Sequence, residues 1–306
     1  MTLTHAVDIF LLDQQLRGNT DKTINGYRGF LGRFVAWLAT KNISTMPTLT
    51  LQHIQSYQIY LSTKQAERSG GDKLTRRTIQ TYVRHIKCFL AFCYTEGFLH
   101  DPIHTRVKLP KAEKPVIEIL TDEEVGEILD CFPKTTTGAR NTAIVLLMLD
   151  CGLRLSEVTT LKTSDINMQK GYLTVMGKGR KARIVPVGLK VRRALMGYLH
   201  KRFTTGLPAD NEFIFLTRHR KPMTIACIAS LMARLKKDAN IPRLHAHLFR
   251  HTYATNFLVH GLGDIYELSR LLGHSDLKVT TAYLQLASYY TIIEKRRHVS
   301  YLDMKR

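Results

Sequence analysis

The last quarter of the chain places basic hydrogen-bond donors ahead of a tyrosine. His247 and Arg250 lie three residues apart, His274 follows a glycine, and Tyr283 comes nine residues later. An arginine can bind two phosphate oxygens through its forked guanidinium, and a histidine can donate a further bond or shuttle a proton. A tyrosine hydroxyl beside such donors can attack phosphorus. These residue types predict an enzyme that cuts phosphodiester bonds without a metal ion.

A second arginine lies just after a predicted turn. Arg154 follows Gly152 and begins a helix that the pattern extends toward Leu161. A positive side chain in the first turn of a helix opposes the helix dipole unless an anion is bound nearby. Glu157, three residues further on, could hold the guanidinium for such an anion. An ordinary surface pair, which contributes at most about 1 kcal/mol, explains the same two residues equally well.

A glycine-rich basic turn lies between two short apolar segments, 172–176 and 182–187. Segments of this kind flanking glycines predict a β-hairpin. Four basic side chains share the turn, and the sequence does not show the hairpin register. They are Lys178, Arg180, Lys181 and Arg183.

Each of these features also has a purely structural explanation. A histidine near an arginine is usually structural, and His245 and His251 crowd the same stretch. Tyr283 is flanked by Ala282 and Leu284, and a tyrosine in such surroundings is more often a core residue than a catalytic one. The combination of residues, rather than any one of them, supports chemistry.

The first third of the chain is predicted to be helical. Apolar residues recur at three- or four-residue spacing from Thr20 onward, and a second such pattern runs from about Thr75 to near Gly97. The second helix carries basic residues opposite its apolar face, and that face could meet phosphates or simply be solvated. The candidate DNA-binding residues there are Arg76, Arg77, Arg84 and Lys87.

Prolines and basic residues interrupt the helical patterns between residues 100 and 118. Pro102, Pro110 and Pro115 are incompatible with one regular helix. We interpret residues 106–117 as a basic linker between a helical domain, 1–105, and a second domain, 118–306. The second domain is predicted to begin with a capping box of Thr121 and Glu124 and to contain a buried helix at 143–149.

The overall charge favours a polyanionic partner. The chain has 306 residues, with 45 Lys and Arg against 25 Asp and Glu, and a formal net charge of +20. Nucleic acid is the leading partner for such a chain, and an acidic membrane surface is the alternative. Both halves of the sequence are basic, which is typical of a protein that contacts a nucleic-acid duplex along the whole length of the chain.

The cysteine pattern and the lack of a long apolar segment indicate the cellular compartment. Five scattered cysteines form no Cys-x-x-Cys pair and no zinc-site spacing, so we expect free, buried thiols in a reducing environment. The first residues lack the pattern of a secretory signal, and no stretch of eighteen apolar residues occurs. The sequence therefore predicts a soluble, cytoplasmic protein without a membrane partner.

The order of the chemical residues resembles that of the tyrosine recombinase and integrase family. The pattern is Arg154, a hairpin Lys178, His247-x-x-Arg250, Gly-His274 and Tyr283, and the resemblance covers nearly the whole chain. The length is closest to Xer-like members. The resemblance implies a mainly α protein with a small β-sheet or hairpin, in which a helical core-binding (SAM-like) domain precedes an α+β catalytic domain.

The resemblance also implies roles for these residues. Tyr283 would be the nucleophile, and Arg154, His247, Arg250 and His274 would bind the phosphate, with Glu157 as support. Lys178 would protonate the departing 5′-oxygen. The reaction would pass through a 3′-phosphotyrosyl intermediate without metal, cofactor or ATP.

The family further implies double-stranded DNA with specific sites as the partner, and four protomers that exchange strands through a Holliday junction. The tail beyond Tyr283 would dock on a neighbouring protomer, or else fold back on its own domain. Tyr289 and Tyr290 are rival nucleophiles, but their spacing from His274 does not match the family. The alternative functions are a type IB topoisomerase and a DNA-binding protein that pairs sites without cutting.

Overall fold

The computed structural model describes residues 1–63, 73–113, 117–177, 182–206, 211–274 and 276–296. The chain forms two compact units, Met1–Pro115 and Val116–Arg306. Helices dominate both, and the second unit holds one small antiparallel sheet, which confirms the predicted fold class of a mainly α protein.

The N-terminal unit is helical. Threonine side chains cap the starts of α2 and α4: Thr20 and Thr75 accept hydrogen bonds from the backbone amides of Thr23 and Thr78. The helices are α1 (Leu3–Leu16), α2 (Asp21–Ala39), α3 (Leu51–Thr63), α4 (Arg76–Thr95) and α5 (Ile103–Arg106), with a 3-10 turn at Met46–Thr48. The two predicted helices are confirmed as α2 and α4, and their apolar faces join residues of α1 and α3 in the core of this unit.

The C-terminal unit begins with the predicted capping box. Thr121 accepts from the amide of Glu124, and the Glu124 carboxylate accepts from the amide of Thr121. The helices that follow are α6 (Asp122–Asp130), α7 (Thr136–Asp150), α8 (Leu155–Thr160), α9 (Leu189–Thr204), α10 (Ile225–Asp238), α11 (Ala246–Val259), α12 (Ile265–Leu272) and α13 (Leu277–Arg296).

The sheet of this unit has the order β1-β2-β3, with both pairs antiparallel. The strands are β1 (Ile166–Asn167), β2 (Tyr172–Met176) and β3 (Ala182–Pro186), and a 3-10 turn covers Thr163–Asp165. The predicted hairpin is confirmed as β2 and β3, in a register that pairs Val175 with Arg183. The two-residue strand β1 was not predicted, because it is too short to show alternation. The turn residues 178–181, including Lys178, lie outside the described residues.

The core of the C-terminal unit surrounds α7. Residues 143–148 of this helix are buried on every side, which confirms the predicted buried helix. A smaller apolar cluster joins α11, α12 and α13 and includes Tyr283. In the described part of the chain, no helix has the length and apolar character needed to cross a membrane.

The five cysteines are free, but the expectation that all are buried is wrong. Cys93 and Cys151 are buried, whereas Cys88 is exposed on α4. Cys88 lies next to the basic residues of that helix rather than on its apolar face, which explains its exposure.

Candidate active site

Arg154 is presented by a sharp turn between α7 and α8. Gly152 adopts a left-handed backbone conformation, with φ of 59°, and a Cβ there would collide with the Tyr253 ring. Arg154 then occupies the N-cap position of α8 with an extended backbone. Its guanidinium donates to Glu157 Oε1 at 2.9 Å and to the Gly273 carbonyl at 3.1 Å. With 30% of the side chain exposed, further guanidinium donors can reach a bound anion.

Glu157 is held by two arginines. It is only 5% exposed, and besides Arg154 it accepts a bidentate pair of bonds from Arg183, both at 2.8 Å. Burial raises the pKa of Glu157, but hydrogen bonds from Arg183 and Arg154 outweigh it, so its pKa lies below the ordinary value. Glu157 is therefore a buried carboxylate that supports Arg154 rather than half of a surface pair.

Arg183 belongs to the candidate site, and the prediction that it shares the hairpin turn with Lys178 is wrong. It lies on β3, and its Nε donates to the Leu271 carbonyl at 2.6 Å in addition to its bonds to Glu157. The side chain thus joins the sheet to the end of α12. The sequence does not show the hairpin register, in which Arg183 lies opposite Val175.

Arg250 is the most deeply buried of the candidate cations that the structure describes. It is 3% exposed on α11 and donates to the carbonyls of Gly152 and Leu272, at 2.5 and 2.6 Å. Burial and then the nearby Arg154 lower the pKa of Arg250 to about 10, so it stays charged at neutral pH. Arg250 therefore ties the turn before α8 to the turn after α12, the two segments that carry Arg154 and His274.

His274 contacts Arg250 directly. Its Nε2 lies 3.0 Å from Arg250 Nη2, and its Nδ1 lies 2.9 Å from Thr280 Oγ1. A guanidinium can only donate, so Nε2 accepts and Nδ1 carries the proton that is donated to Thr280. Burial and then Arg250 and Arg154 lower the pKa of His274 to about 4, which keeps the ring neutral.

Tyr283 lies inside this cluster on α13. It is 4% exposed, its ring stacks near that of His274 with 6.4 Å between centroids, and its hydroxyl lies 2.7 Å from His251 Nδ1. Burial raises the pKa of Tyr283, although the positive charges of Arg250 and Arg154 oppose this rise. The sequence pattern assigned His251 no role of its own, because it was only one of the histidines that crowd the stretch around His247.

His247 lies near the start of α11 and is exposed. Its ring centroid is 6.3 Å from that of His251, one helical turn further along. The rival Tyr289 is exposed on α13, and Tyr290 lies beside it. The structure thus brings Arg154, Glu157, Arg250, His274 and Tyr283 into one connected cluster and leaves His247 beside it.

The candidate DNA-binding residues of the N-terminal unit lie on α4. Arg76, Arg77 and Arg84 are exposed, and Arg84 donates to Gln80 Oε1 across a long distance of 3.4 Å. Lys87 is half-buried, and its Nζ donates to the Val107 carbonyl at 3.2 Å. Three of the four side chains are therefore open to a ligand, whereas Lys87 already holds the segment after α5. Among the described residues, no cluster of three or more His, Cys, Asp or Glu has the arrangement of a metal site.

Comparison with known proteins assigns the class of this protein. Residues 118–289 match the Phage integrase family. The chain is 32% identical over 288 residues to the tyrosine recombinase XerC of Bacillus pumilus, covering 92% of each chain. It is 28% identical over 273 residues to the tyrosine recombinase XerD of Listeria innocua, covering 87% of this chain and 89% of that one.

Solved structures agree with this class. The crystal structure of XerA recombinase aligns with 97% of this chain and 100% of its own, at 25% identity and a TM-score of 0.52. The Tn1549 transposon integrase in complex with transposon right end DNA covers 98% and 99%, with a TM-score of 0.72 at 18% identity, a likeness of fold alone. The chain belongs to the phage integrase family of tyrosine recombinases, and it is a site-specific DNA recombinase.

Proposed function

We propose that this recombinase cuts and rejoins DNA through Tyr283. The phenolic oxygen attacks a backbone phosphorus, the bond to the 5′-oxygen breaks, and the products are a 3′-phosphotyrosyl link and a free 5′-hydroxyl. The observation that carries this proposal is the continuous set of contacts that holds Arg154, Arg250 and His274 around one buried tyrosine. The link conserves the energy of the phosphodiester, so that rejoining to another strand needs no ATP.

The cations of the cluster stabilise the transition state in this mechanism. Negative charge builds up on the equatorial oxygens of the pentacoordinate phosphorus, and preoriented donors bind it without further reorganisation. Arg154 and His247 have the exposure to reach these oxygens, whereas Arg250 contributes its charge from a buried position. In the described arrangement, His274 orients Arg250 by accepting its hydrogen bond.

The leaving oxygen needs a proton, because an alkoxide is a poor leaving group. We assign this step to Lys178, as the family pattern implies. A bridging 5′-phosphorothiolate substrate tests the assignment, since a thiolate leaves without protonation. Cleavage by Lys178→Ala should recover on that substrate, and failure to recover would move the role to another group.

The N-terminal residues 1–105 are assigned to DNA binding, residues 106–117 to the linker, and residues 118–306 to catalysis. Exposed Arg76, Arg77 and Arg84 on α4 support phosphate contacts, with Lys87 as a further candidate. Two neighbours of the same fold are DNA complexes, the Tn1549 integrase with transposon right end DNA and a lambda integrase dimer bound to a COC′ core site. Double-stranded DNA with specific recombination sites is therefore the partner that we assign.

Strand exchange between two sites requires several protomers. We assign four, acting through a Holliday junction in the cytoplasm, with the C-terminal tail as the docking element. Tyr289, Ile292 and Ile293 are exposed apolar side chains near the end of α13, which suits contact with another protomer. Residues 297–306 lie outside the described part of the chain.

Covalent trapping tests the nucleophile. A DNA site nicked next to the scissile phosphate loses its short 5′-hydroxyl fragment after cleavage, so that the covalent complex accumulates and is resolved on a denaturing gel. Tyr283→Phe should form no complex while binding DNA normally, and the matched control Tyr289→Phe should form as much as the wild type. A covalent complex with Tyr283→Phe would show that another residue attacks.

A further inference from the structure

The hydroxyl of Tyr283 contacts a histidine outside the family pattern. His251 Nδ1 lies 2.7 Å from Tyr283 Oη, and the two ring centroids are 5.6 Å apart. His251 follows Arg250 directly on α11, and Tyr283 approaches it from α13. Among the histidine ring nitrogens of the described residues, His251 Nδ1 is the one that lies within hydrogen-bond distance of Tyr283 Oη.

Attack by a phenol requires the loss of its proton. A tyrosine hydroxyl has an ordinary pKa of about 10, so it is protonated at neutral pH. Burial raises the pKa of Tyr283 further in this protein. A group that receives the proton as the oxygen approaches phosphorus therefore lowers the barrier, and a base within hydrogen-bond reach is the first candidate.

We infer that His251 is the proton acceptor for Tyr283 in DNA cleavage. This inference rests on the proposed nucleophilic role of Tyr283. As the Tyr283 Oη to phosphorus bond forms and the bond from phosphorus to the 5′-oxygen breaks, the phenolic proton passes to His251 Nδ1. The departing 5′-oxygen receives a different proton from the general acid. On rejoining, the 5′-hydroxyl attacks the phosphotyrosine, and the His251 imidazolium returns the proton to the leaving phenolate.

The two family histidines are less suited to this step. His274 Nε2 accepts from Arg250, and its protonated Nδ1 donates to Thr280, so both of its nitrogens are engaged. His247 is exposed one turn before His251, where it can meet the phosphate. His251 occupies the remaining position, between His247 and the tyrosine.

The charges around His251 set its protonation. Its neighbours are His247 and Arg250 on its own helix, His245 at the N-cap of that helix, and Tyr283 from α13. Burial and then His247, His245 and Arg250 lower the pKa of His251 to about 4, so the ring is neutral before DNA binds. A bound phosphate would add negative charge nearby and raise its basicity in the complex.

Two substitutions separate proton transfer from positioning. His251→Asn retains a polar group near the position of Nδ1 but cannot take up a proton near neutral pH, whereas His251→Ala removes both functions. Single-turnover cleavage of the nicked site should slow by about 10²-fold or more in both variants, the usual range for a lost general base. His260→Ala, an exposed histidine at the end of the same helix, is the control and should cleave at the wild-type rate.

The pH profile and chemical rescue decide the role. Wild-type cleavage should fall at low pH as His251 is protonated, whereas the rates of both variants should keep rising with pH toward ionisation of the phenol. Added imidazole should accelerate His251→Ala. A fluorinated tyrosine at position 283 has a more acidic phenol, so it should also restore part of the cleavage rate of the His251→Ala variant.

A wild-type rate in His251→Ala would overturn the inference. So would a uniform loss at every pH that neither imidazole nor the acidic phenol relieves, because that result indicates positioning alone. DNA binding and thermal unfolding of each variant show whether it is folded. Covalent complex formation by Tyr283→Phe would instead refute the proposed nucleophile and is measured separately.

Discussion

The arginines of the two units differ in how they are held. In the C-terminal unit, Arg154, Arg183 and Arg250 each donate to a backbone carbonyl, and Arg154 and Arg183 also donate to the buried carboxylate of Glu157. In the N-terminal unit, Arg76, Arg77 and Arg84 on α4 are exposed, and Arg84 bonds to a side chain of its own helix, Gln80. Buried cations that share partners act as a unit, whereas exposed cations contribute separately. Single substitutions in the C-terminal cluster should therefore have large, coupled effects on stability and cleavage. Single substitutions on α4 should have small, additive effects on DNA binding.

Glu157→Ala should have the largest effect on stability. It leaves Arg183 buried without its bidentate partner and Arg154 without its support. Loss of one partner from a buried ion pair costs about 3–5 kcal/mol. Chemical denaturation measures the free energy of unfolding, and Asp238→Asn is the control, because its pair with Arg234 is exposed. A change as small as that of the control would show that the arginines are not coupled through Glu157.

The same ion pairs predict a dependence of stability on pH. The pKa of Glu157 is lower in the folded protein than in the unfolded chain, where it is about 4.3. Its contribution is therefore complete above the unfolded pKa and is lost as the pH falls through the folded pKa. Thermal unfolding of wild type and Glu157→Gln should converge as the solution is acidified. Parallel curves would contradict the assignment.

Arg250→Ala should reduce cleavage by about 10²–10³-fold, the usual effect of losing one group that stabilises the charge of the transition state. The substitution also leaves the carbonyls of Gly152 and Leu272 unpaired. Each carbonyl that stays buried should lower the free energy of unfolding by about 1–3 kcal/mol. Single-turnover cleavage at saturating DNA and thermal unfolding measure the two effects. Arg234→Ala, an exposed arginine on α10, is the control. Unchanged cleavage would remove Arg250 from the site.

Replacing Arg76, Arg77 and Arg84 by alanine, one at a time, should weaken DNA binding without changing cleavage at saturating DNA. Each lost phosphate contact should reduce the slope of log affinity against log salt by about 0.9. Arg17→Ala serves as a control, because Arg17 pairs with Asp13 on α1. Unchanged slopes in all three variants would place the DNA on another face of this unit.

Lys87→Ala should have the smallest effect on the salt slope. Its ammonium already donates to the Val107 carbonyl, so it has fewer donors for a phosphate than Arg84 on the same helix. A direct comparison of Lys87→Ala with Arg84→Ala tests this difference. An equal loss of slope in both variants would show that Lys87 leaves its carbonyl partner when DNA binds.

Local patterns predicted the elements of this protein well. The capping box at Thr121, the helix after Thr75 and the β2–β3 hairpin each depend on residues close together in the chain, and all three are confirmed. Strand β1 was missed because two residues carry no periodicity. The partner of Lys87 was missed because the Val107 carbonyl lies twenty residues away.

The candidate site was predictable in its residue types but not in its contacts. The arginines, histidines and tyrosine stand in an order that the family shares, and the structure gathers most of them into one cluster. Arg183 and His251 were passed over because their partners are distant in the chain. Arg183 meets Glu157 across 26 residues, and His251 meets Tyr283 across 32.

The sequence by itself determined the chemistry available to this protein, because residue type sets which groups can donate, accept or attack. It also determined the helices that carry them, because periodicity and capping are local properties. Only the tertiary structure decided which cations are buried, which carboxylate Arg154 and Arg183 share and which histidine contacts the phenol. These relations depend on the packing of α11, α12, α13 and β3, which brings together groups that no spacing rule connects.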